Sequence, residues 1–277
     1  MSRVPPIVGE AEQPVEKLRL GGMALRNGLL VHGPTHWAAA VRNRAGELEV
    51  ASGRKLSLGG AATKSIPGLR GVIKLAEAMA VIPIVKRALP AARLPMQDAG
   101  TLGAMAGAAL LGQAIRSTGT RSLAREGAVG VVSLMPALFS LRTGDLSAYH
   151  GVEHKSIAAY EQDGEAAAAD KEHDRCGSNL VAPMLGAAAV GNVAARRAGL
   201  RGPVTEAAVA LGSVAVAVEV FAWSERNEGT RLSRMLRRPG YEIQRVVGTR
   251  EPTEDQLEVG TAALEEILRV EGVVQTG

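Results

Sequence analysis

The sequence predicts a mainly α-helical, membrane-associated bundle of about four apolar helices in two hairpins, with small α+β pieces at both ends. Three observations carry that expectation. Four segments, Ala99–Ile115, Gly127–Leu141, Leu180–Ala195 and Val204–Trp223, are built mostly from Ala, Val, Leu and Gly. Hydrophobic residues make up 46% of the chain but aromatics only 3%, beside 33 glycines. Small residues in place of aromatics suit helices packed at close backbone distance, a habit of membrane bundles. Finally, both ends carry short alternating or capped patterns of a different kind.

In chain order, residues 1–20 are polar, acidic and proline-bearing, and read as a flexible tail without the apolar core of a signal peptide. Residues 21–65 read as a small β-rich unit. Within it, Trp37–Val41 and Glu47–Ala51 form a hairpin across the loop Arg42 to Gly46. Residues 66–223 are expected to be helical. Val72, Ile73, Leu75, Ala76, Met79, Ala80 and Ile82 recur at helical spacing, with Lys74 and Glu77 on the other side. Pro83, Pro90 and Pro95 should break the chain beyond Ile82 into short pieces. Residues 224–277 read as a strand–helix unit: Tyr241–Val247 alternates like a strand, and Thr253 to Gln256 is a capping box. The helix it opens carries an apolar stripe of Leu257, Ala263, Leu264, Ile267 and Leu268.

A membrane-crossing helix needs roughly 20 predominantly apolar residues. Only Val204–Trp223 reaches that length, and it contains Glu206 and Glu219. If all four segments cross a cell membrane, the two termini and the His-rich segment 145–178 share one side, expected to be cytoplasmic. The loops on the other side then carry Arg116, Arg121 and Arg125, and Arg196, Arg197 and Arg201. That opposes the positive-inside tendency, so shallow or re-entrant hairpins stay open as an alternative.

The charge balance is mild, +4 with a pI near 9.4. Arginines are scattered rather than interleaved with aromatics, which argues against nucleic acid as a partner and leaves membrane lipid. Cys176 is the single cysteine, so an intrachain disulfide is excluded. Nothing in the residues decides whether the chain forms a homo-oligomer.

Chemistry concentrates between His150 and Gly177. Three of the five histidines, His150, His154 and His173, fall there with Cys176. On a helix His150 and His154 lie one turn apart on one face, where two imidazoles can grip a divalent transition metal such as zinc. Glu153 beside them could ligate, or act as the general base of an H-x-x-E-H site. Such a site needs a further ligand, and the candidates are Glu161, His173, Cys176 and the distant Glu219. Each has a plainer reading. The five-residue pattern recurs by chance on surface helices, and Gly151 inside it weakens a helix by about 1 kcal/mol relative to Ala. Cys176 also reads as a small buried hydrophobe, Lys155 as a solvated charge or a carboxylate's partner, and His32 and His36 as turn residues around Gly33-Pro34.

These residues resemble a known family. Gly21 to Ala24, Gly33-Pro34 and Trp37-Ala38, then Pro67 to Gly71, His150 to Lys155 with Tyr160-Glu161, Arg175 to Gly177, and Thr249 to Pro252 with Asp255 to Val259 resemble, in order, motifs of the YqhQ family of bacterial membrane-associated proteins. The resemblance implies several membrane helices and a predicted metal dependence, with no established reaction. Departures are Asn27, where the family carries a glutamate, Asp174 in place of a proline, and Ser178-Asn179. The expectation is a metal-dependent membrane enzyme, a hydrolase of unknown substrate. The alternatives are a non-enzymatic assembly or scaffold protein with a structural His/Glu/Cys cluster, and a carrier with Glu206 and Glu219 facing a cavity.

Overall fold

The structure is a computed structural model that describes residues 17–58, 66, 69–117 and 122–273. Strands β1 (Gly21–Leu25), β2 (Gly28–His32), β3 (His36–Arg42) and β4 (Leu48–Arg54) form an antiparallel meander in the order β1-β2-β3-β4. The hairpin expected around residues 42–46 is there, with Arg42 opposite Leu48. β1 and β2 extend it, and both faces of the sheet are covered. Leu29, Val31, Ala38 and Ala40 face one hydrophobic cluster; Leu25, Leu30, Trp37 and Val41 face another. Burial on both faces gives β2 a continuous apolar run in place of alternation, which is why its pattern does not announce a strand.

Helix α1 (Leu69–Ala88) covers the second face with Val81 and Val85, both fully buried. Pro83 lies inside α1 and does not end it, contrary to expectation. An interior proline costs about 3 kcal/mol, whereas burying Val81, Val85 and the following Leu89 returns roughly 1.5–3 kcal/mol each. The first face is covered by α5 (Leu146–Gln162) and by α9 (Glu254–Val270), whose Val259, Ala263, Ile267 and Leu268 are buried. Thr253 and Gln256 cap α9 reciprocally, as the sequence requires.

Between these lie two apolar hairpins. In the first, α2 (Ala99–Ser117) packs on α3 (Leu123–Ser133) and α4 (Met135–Arg142); in the second, α6 (Val181–Arg197) packs on α7 (Pro203–Arg226). Three helical stretches, Leu123–Arg142, Gly177–Arg197 and Pro203–Arg226, are long and apolar enough to cross a membrane. α2, the fourth apolar segment, is not among them. The hairpins are tied together at their tips by Glu126, buried in α3, which Arg116 and Arg196 approach at 3.2 and 3.4 Å. Arg116 and Arg196, read from the sequence as loop arginines, are therefore used internally.

Two further expectations change. Residues 1–16 of the expected tail lie outside the described residues, as do residues 59–65, 67, 68 and 121. Residues 17–20 are docked, not free: Lys17 Nζ donates to Tyr160 O at 2.9 Å, Leu18 N to Tyr160 Oη at 3.0 Å, and Leu20 is buried. Residues 241–247 are helical rather than a strand. Helix α8 (Arg231–Ile243) starts on a Thr230 cap and continues as a wide turn, Gln244–Gly248. Gly240, Gln244 and Gly248 point inward at helical spacing, while Tyr241 and Val246 are exposed. Buried Gln244 decides this, accepting from His173 N (2.8 Å) and donating to Ser178 Oγ (2.9 Å).

Candidate metal centre

α5 is a polar helix that the fold nonetheless buries along most of its length. Two glycines permit it. A Cβ on Gly151 would lie 2.4 Å from Arg250 O, and one on Gly260 of α9 would lie 2.4 Å from Val152 Cγ1. The helix is thus pressed between α9 and the chain entering it, where Arg250 N donates to Ser147 O at 2.9 Å. Gly151, a weakness when α5 is considered alone, is what lets the histidine helix reach its neighbours.

That packing sets the histidines. His150 Nδ1 donates to Gly248 O at 2.8 Å and His154 Nδ1 donates to Lys171 O at 2.6 Å. A carbonyl oxygen only accepts, so both rings carry their proton on Nδ1 and turn the lone pair of Nε2 the other way. His150 Nε2 lies 3.4 Å from Cys176 Sγ. His154 Nε2 is buried with no hydrogen-bond partner. Burial, with His150 beside it, pushes His154 down to about 3, so the ring is neutral and fit to ligate. Burial likewise lowers His173 and raises the Cys176 thiol, the latter opposed by the Ser178 N–H donated to Sγ.

Among the described residues, the ligand atoms of His150, His154 and Cys176 lie within 4.8 Å of one another. A tetrahedral zinc with ordinary bond lengths would set nitrogen and sulfur about 3.5 Å apart, close to the 3.4 Å found between His150 and Cys176. Imidazoles held by carbonyls through the opposite nitrogen are the usual arrangement around metal-binding histidine. The cluster could therefore hold a metal.

Glu153, on the same turn, lies beside the cluster and not within it. Its side chain rests on Gly22, where an added Cβ would come within 2.6 Å of Glu153 Cγ. Burial lifts its carboxyl to about 7, against the lowering influence of His150 and a hydrogen bond from the Ala24 backbone; Cys176 adds to the rise. It faces a cavity of about 340 Å³ shared with His150 and Cys176. The other candidates stand apart. Glu161 pairs with Arg175 and lies 3.4 Å from His173 Nε2, and the His173 ring is centred 5.7 Å from that of His154. Glu219 lies in α7, outside the converging group.

Lys155 is the carboxylate's partner that the sequence offered as one of two readings, and it does more than that. It is buried, not solvated: Nζ donates to Ala167 O (3.1 Å) and Ala169 O (2.7 Å) and pairs with Glu251 at 2.7 Å. It pins the loop that supplies Lys171 O, His173 and Cys176. Its place directly after H-x-x-E-H was the only available signal. Gln244 had none, because its partners are distant in sequence, and Gly22 stood out only as part of the motif Gly21 to Ala24.

Residues 132–270 match the model of a family described as a protein of unknown function, DUF1385. No curated protein matches the chain, and no solved structure does. The match covers half of the chain and holds His150, Glu153, His154, Lys155 and Cys176 together, so this chain belongs to the DUF1385 family, the one its motifs resemble.

Proposed function

We propose that the protein is a metal-dependent membrane hydrolase with a zinc-type centre at His150, His154 and Cys176 and Glu153 as its general base. The observation that carries the reading is the pairing of two Nδ1–carbonyl hydrogen bonds with two inward Nε2 atoms, one on Cys176 Sγ and one with no partner. Leaving a buried polar atom unpaired costs roughly 1–3 kcal/mol, a cost that coordination would remove. Two imidazoles and a thiolate favour zinc over harder cations. When bound, such a metal supplies Lewis acidity that can bring the pKa of water down to about 7.

The chain's own residues supply the rest. His150, His154 and Cys176 would hold the metal with three protein ligands, and a catalytic site of that kind keeps one further position for water. Glu153, held against Gly22 and the Ala24 amide, is placed to accept a proton from attacking water and hand it to a leaving group.

Membrane placement follows from chain parity. The sheet, α5 and α9 pack on one another and must share one side. Three crossings would leave them on opposite sides. α2 runs antiparallel to the helices it packs on, its Arg116 meeting Glu126 at one end and its Gly100 meeting Phe139 at the other. We therefore assign α2 as the fourth crossing, with sheet, site and C-terminal helix on the cytoplasmic side.

Metal analysis of the gently purified protein tests this. About one equivalent of transition metal per chain is expected, lost in His150→Ala, His154→Ala and Cys176→Ser. Glu153→Gln should keep the metal and lose hydrolysis, whereas a scaffold would keep its function in that variant. Metal-free wild-type protein would sink the proposal.

A further inference from the structure

We propose that the substrate of this centre is an uncharged carboxylic ester of a membrane lipid, its acyl chain lying in the cavity beside Glu153. This rests on the hydrolase reading above and names its substrate class. The cavity, about 340 Å³, is within the range of small-molecule sites. Its polar end is His150, Glu153 and Cys176; its walls are Met23, Met96, Ala137, Leu141 and Leu146. No arginine or lysine is among the described residues that line it. Apart from the metal itself, whose charge Glu153 and a Cys176 thiolate would already offset, a phosphate ester would find no side-chain cation in that wall to meet its negative charge, whereas a carboxylic ester is neutral. Beyond the polar end, an acyl chain meets mostly apolar surface, with Ser140 and Ser178 the other polar side chains of the lining.

A peptide fits no better. β1 is an edge strand and lines the cavity through Gly22, Met23 and Ala24, the place where an extended peptide would add as a new strand. Glu153 already occupies that edge, its side chain lying on Gly22 and its carboxylate taking the Ala24 amide. The added strand would lose its first backbone partner.

The position of the cavity favours a lipid. Ala137 and Leu141 belong to the end of the stretch Leu123–Arg142, and Gly177 and Ser178 begin the stretch Gly177–Arg197. The cavity thus opens between the ends of two helices able to cross a membrane, at the depth where an ester linkage sits between acyl chain and headgroup. Met96 in its wall is 53% exposed, and Met135 and Phe139 on α4 are 52% and 41% exposed. Met135 and Phe139 lie on the face of α4 away from Ala137 and Leu141, so that the cavity wall is backed by an exposed apolar surface suited to the bilayer. In the reaction, water oxygen bonds to the acyl carbon and Glu153 takes its proton. The carbon–oxygen bond to the alcohol then breaks, and that proton passes to the leaving alkoxide, giving a fatty acid and an alcohol.

Two measurements on the full chain in amphipol test the inference. Fluorescence of the methyl ester of dansylundecanoic acid, an uncharged acyl probe, should report binding to the metal-free protein, weakened at least about tenfold by Ala137→Phe. With metal restored, kcat/KM for p-nitrophenyl esters should rise roughly tenfold or more from butyrate to laurate. Ala137→Phe should bring that ratio toward one, and Leu141→Ala should shift the optimum to longer chains. Absence of acyl binding, or cleavage of bis-p-nitrophenyl phosphate or labelled casein in preference to esters, overturns the substrate class and leaves the hydrolase reading standing. Acyl binding with no turnover of any probe by metal-loaded protein overturns the hydrolase reading, and with it the ester, while the cavity keeps its assignment.

Discussion

Replacing Gly151 by alanine sets helix propensity against tertiary packing, and the two predict opposite signs. Taken alone, α5 gains about 1 kcal/mol from the change. In the fold the new Cβ would lie 2.4 Å from Arg250 O, where ordinary contact begins at 3.4 Å. The two backbones must part by about 1 Å, an overpacking cost of about 1–3 kcal/mol. The same shift stretches the 2.9 Å hydrogen bond from Arg250 N to Ser147 O out of range, a further loss of about 1 kcal/mol. The net expectation is destabilisation of roughly 1–3 kcal/mol, or on the order of 5 °C in Tm. Because Gly248, two residues before Arg250, holds His150, metal affinity should fall about 10–100-fold as well. Thermal unfolding in detergent and metal titration of Gly151→Ala measure both. A variant as stable as the parent, or more so, and with full metal affinity, would refute the close approach of α5 to residue 250.

Gly22→Ala places a Cβ 2.6 Å from Glu153 Cγ and pushes that carboxylate off the Ala24 amide; turnover should drop about 100-fold with metal content unchanged, and metal loss instead would show that the pair supports the ligands. Lys155→Met deletes three interactions of one buried ammonium. It should cost about 2 kcal/mol or more, loosen the loop carrying Lys171 to Cys176 in amide exchange, and weaken metal binding; unchanged exchange there would contradict its pinning role. Burial, with Lys55 nearby, holds His32 down to about 4. The unfolded chain takes up this proton near pH 6.5 and the folded one does not, so stability is full above 6.5 and falls as pH drops toward 4, by about 2–3 kcal/mol from this group. Unfolding midpoints of His32→Gln should depend less on pH across that window, and an identical pH slope would show that other groups set it.

Several features were legible in the residues because their causes are local. The capping box at Thr253, the hairpin closing at Arg42 and Leu48, and the helical spacing of His150 and His154 each depend on neighbours within a few positions. Their reading survives in the structure. The strand expected at Tyr241–Val247 fails for the opposite reason. Seven alternating residues cannot outweigh Gln244, whose partners His173 and Ser178 are 71 and 66 residues away. Pro83 inside α1 and Lys155 beneath the site loop follow the same rule.

By itself, then, the sequence determined a helical chain with apolar hairpins, and a histidine pair followed by a carboxylate and a thiol in one stretch. Spacing along a helix is enough to put two imidazoles on one face. Only the tertiary structure decided which further group joins them: Cys176 converges, His173 pairs with Glu161, and Glu219 stays in α7. It also decided which nitrogen each imidazole presents, since that depends on Gly248 O and Lys171 O, carbonyls brought in from 98 and 17 residues away. Which side chains converge and which tautomer each imidazole takes are long-range properties, set by hydrogen bonds and burial that form only when α5 is packed between the sheet and α9.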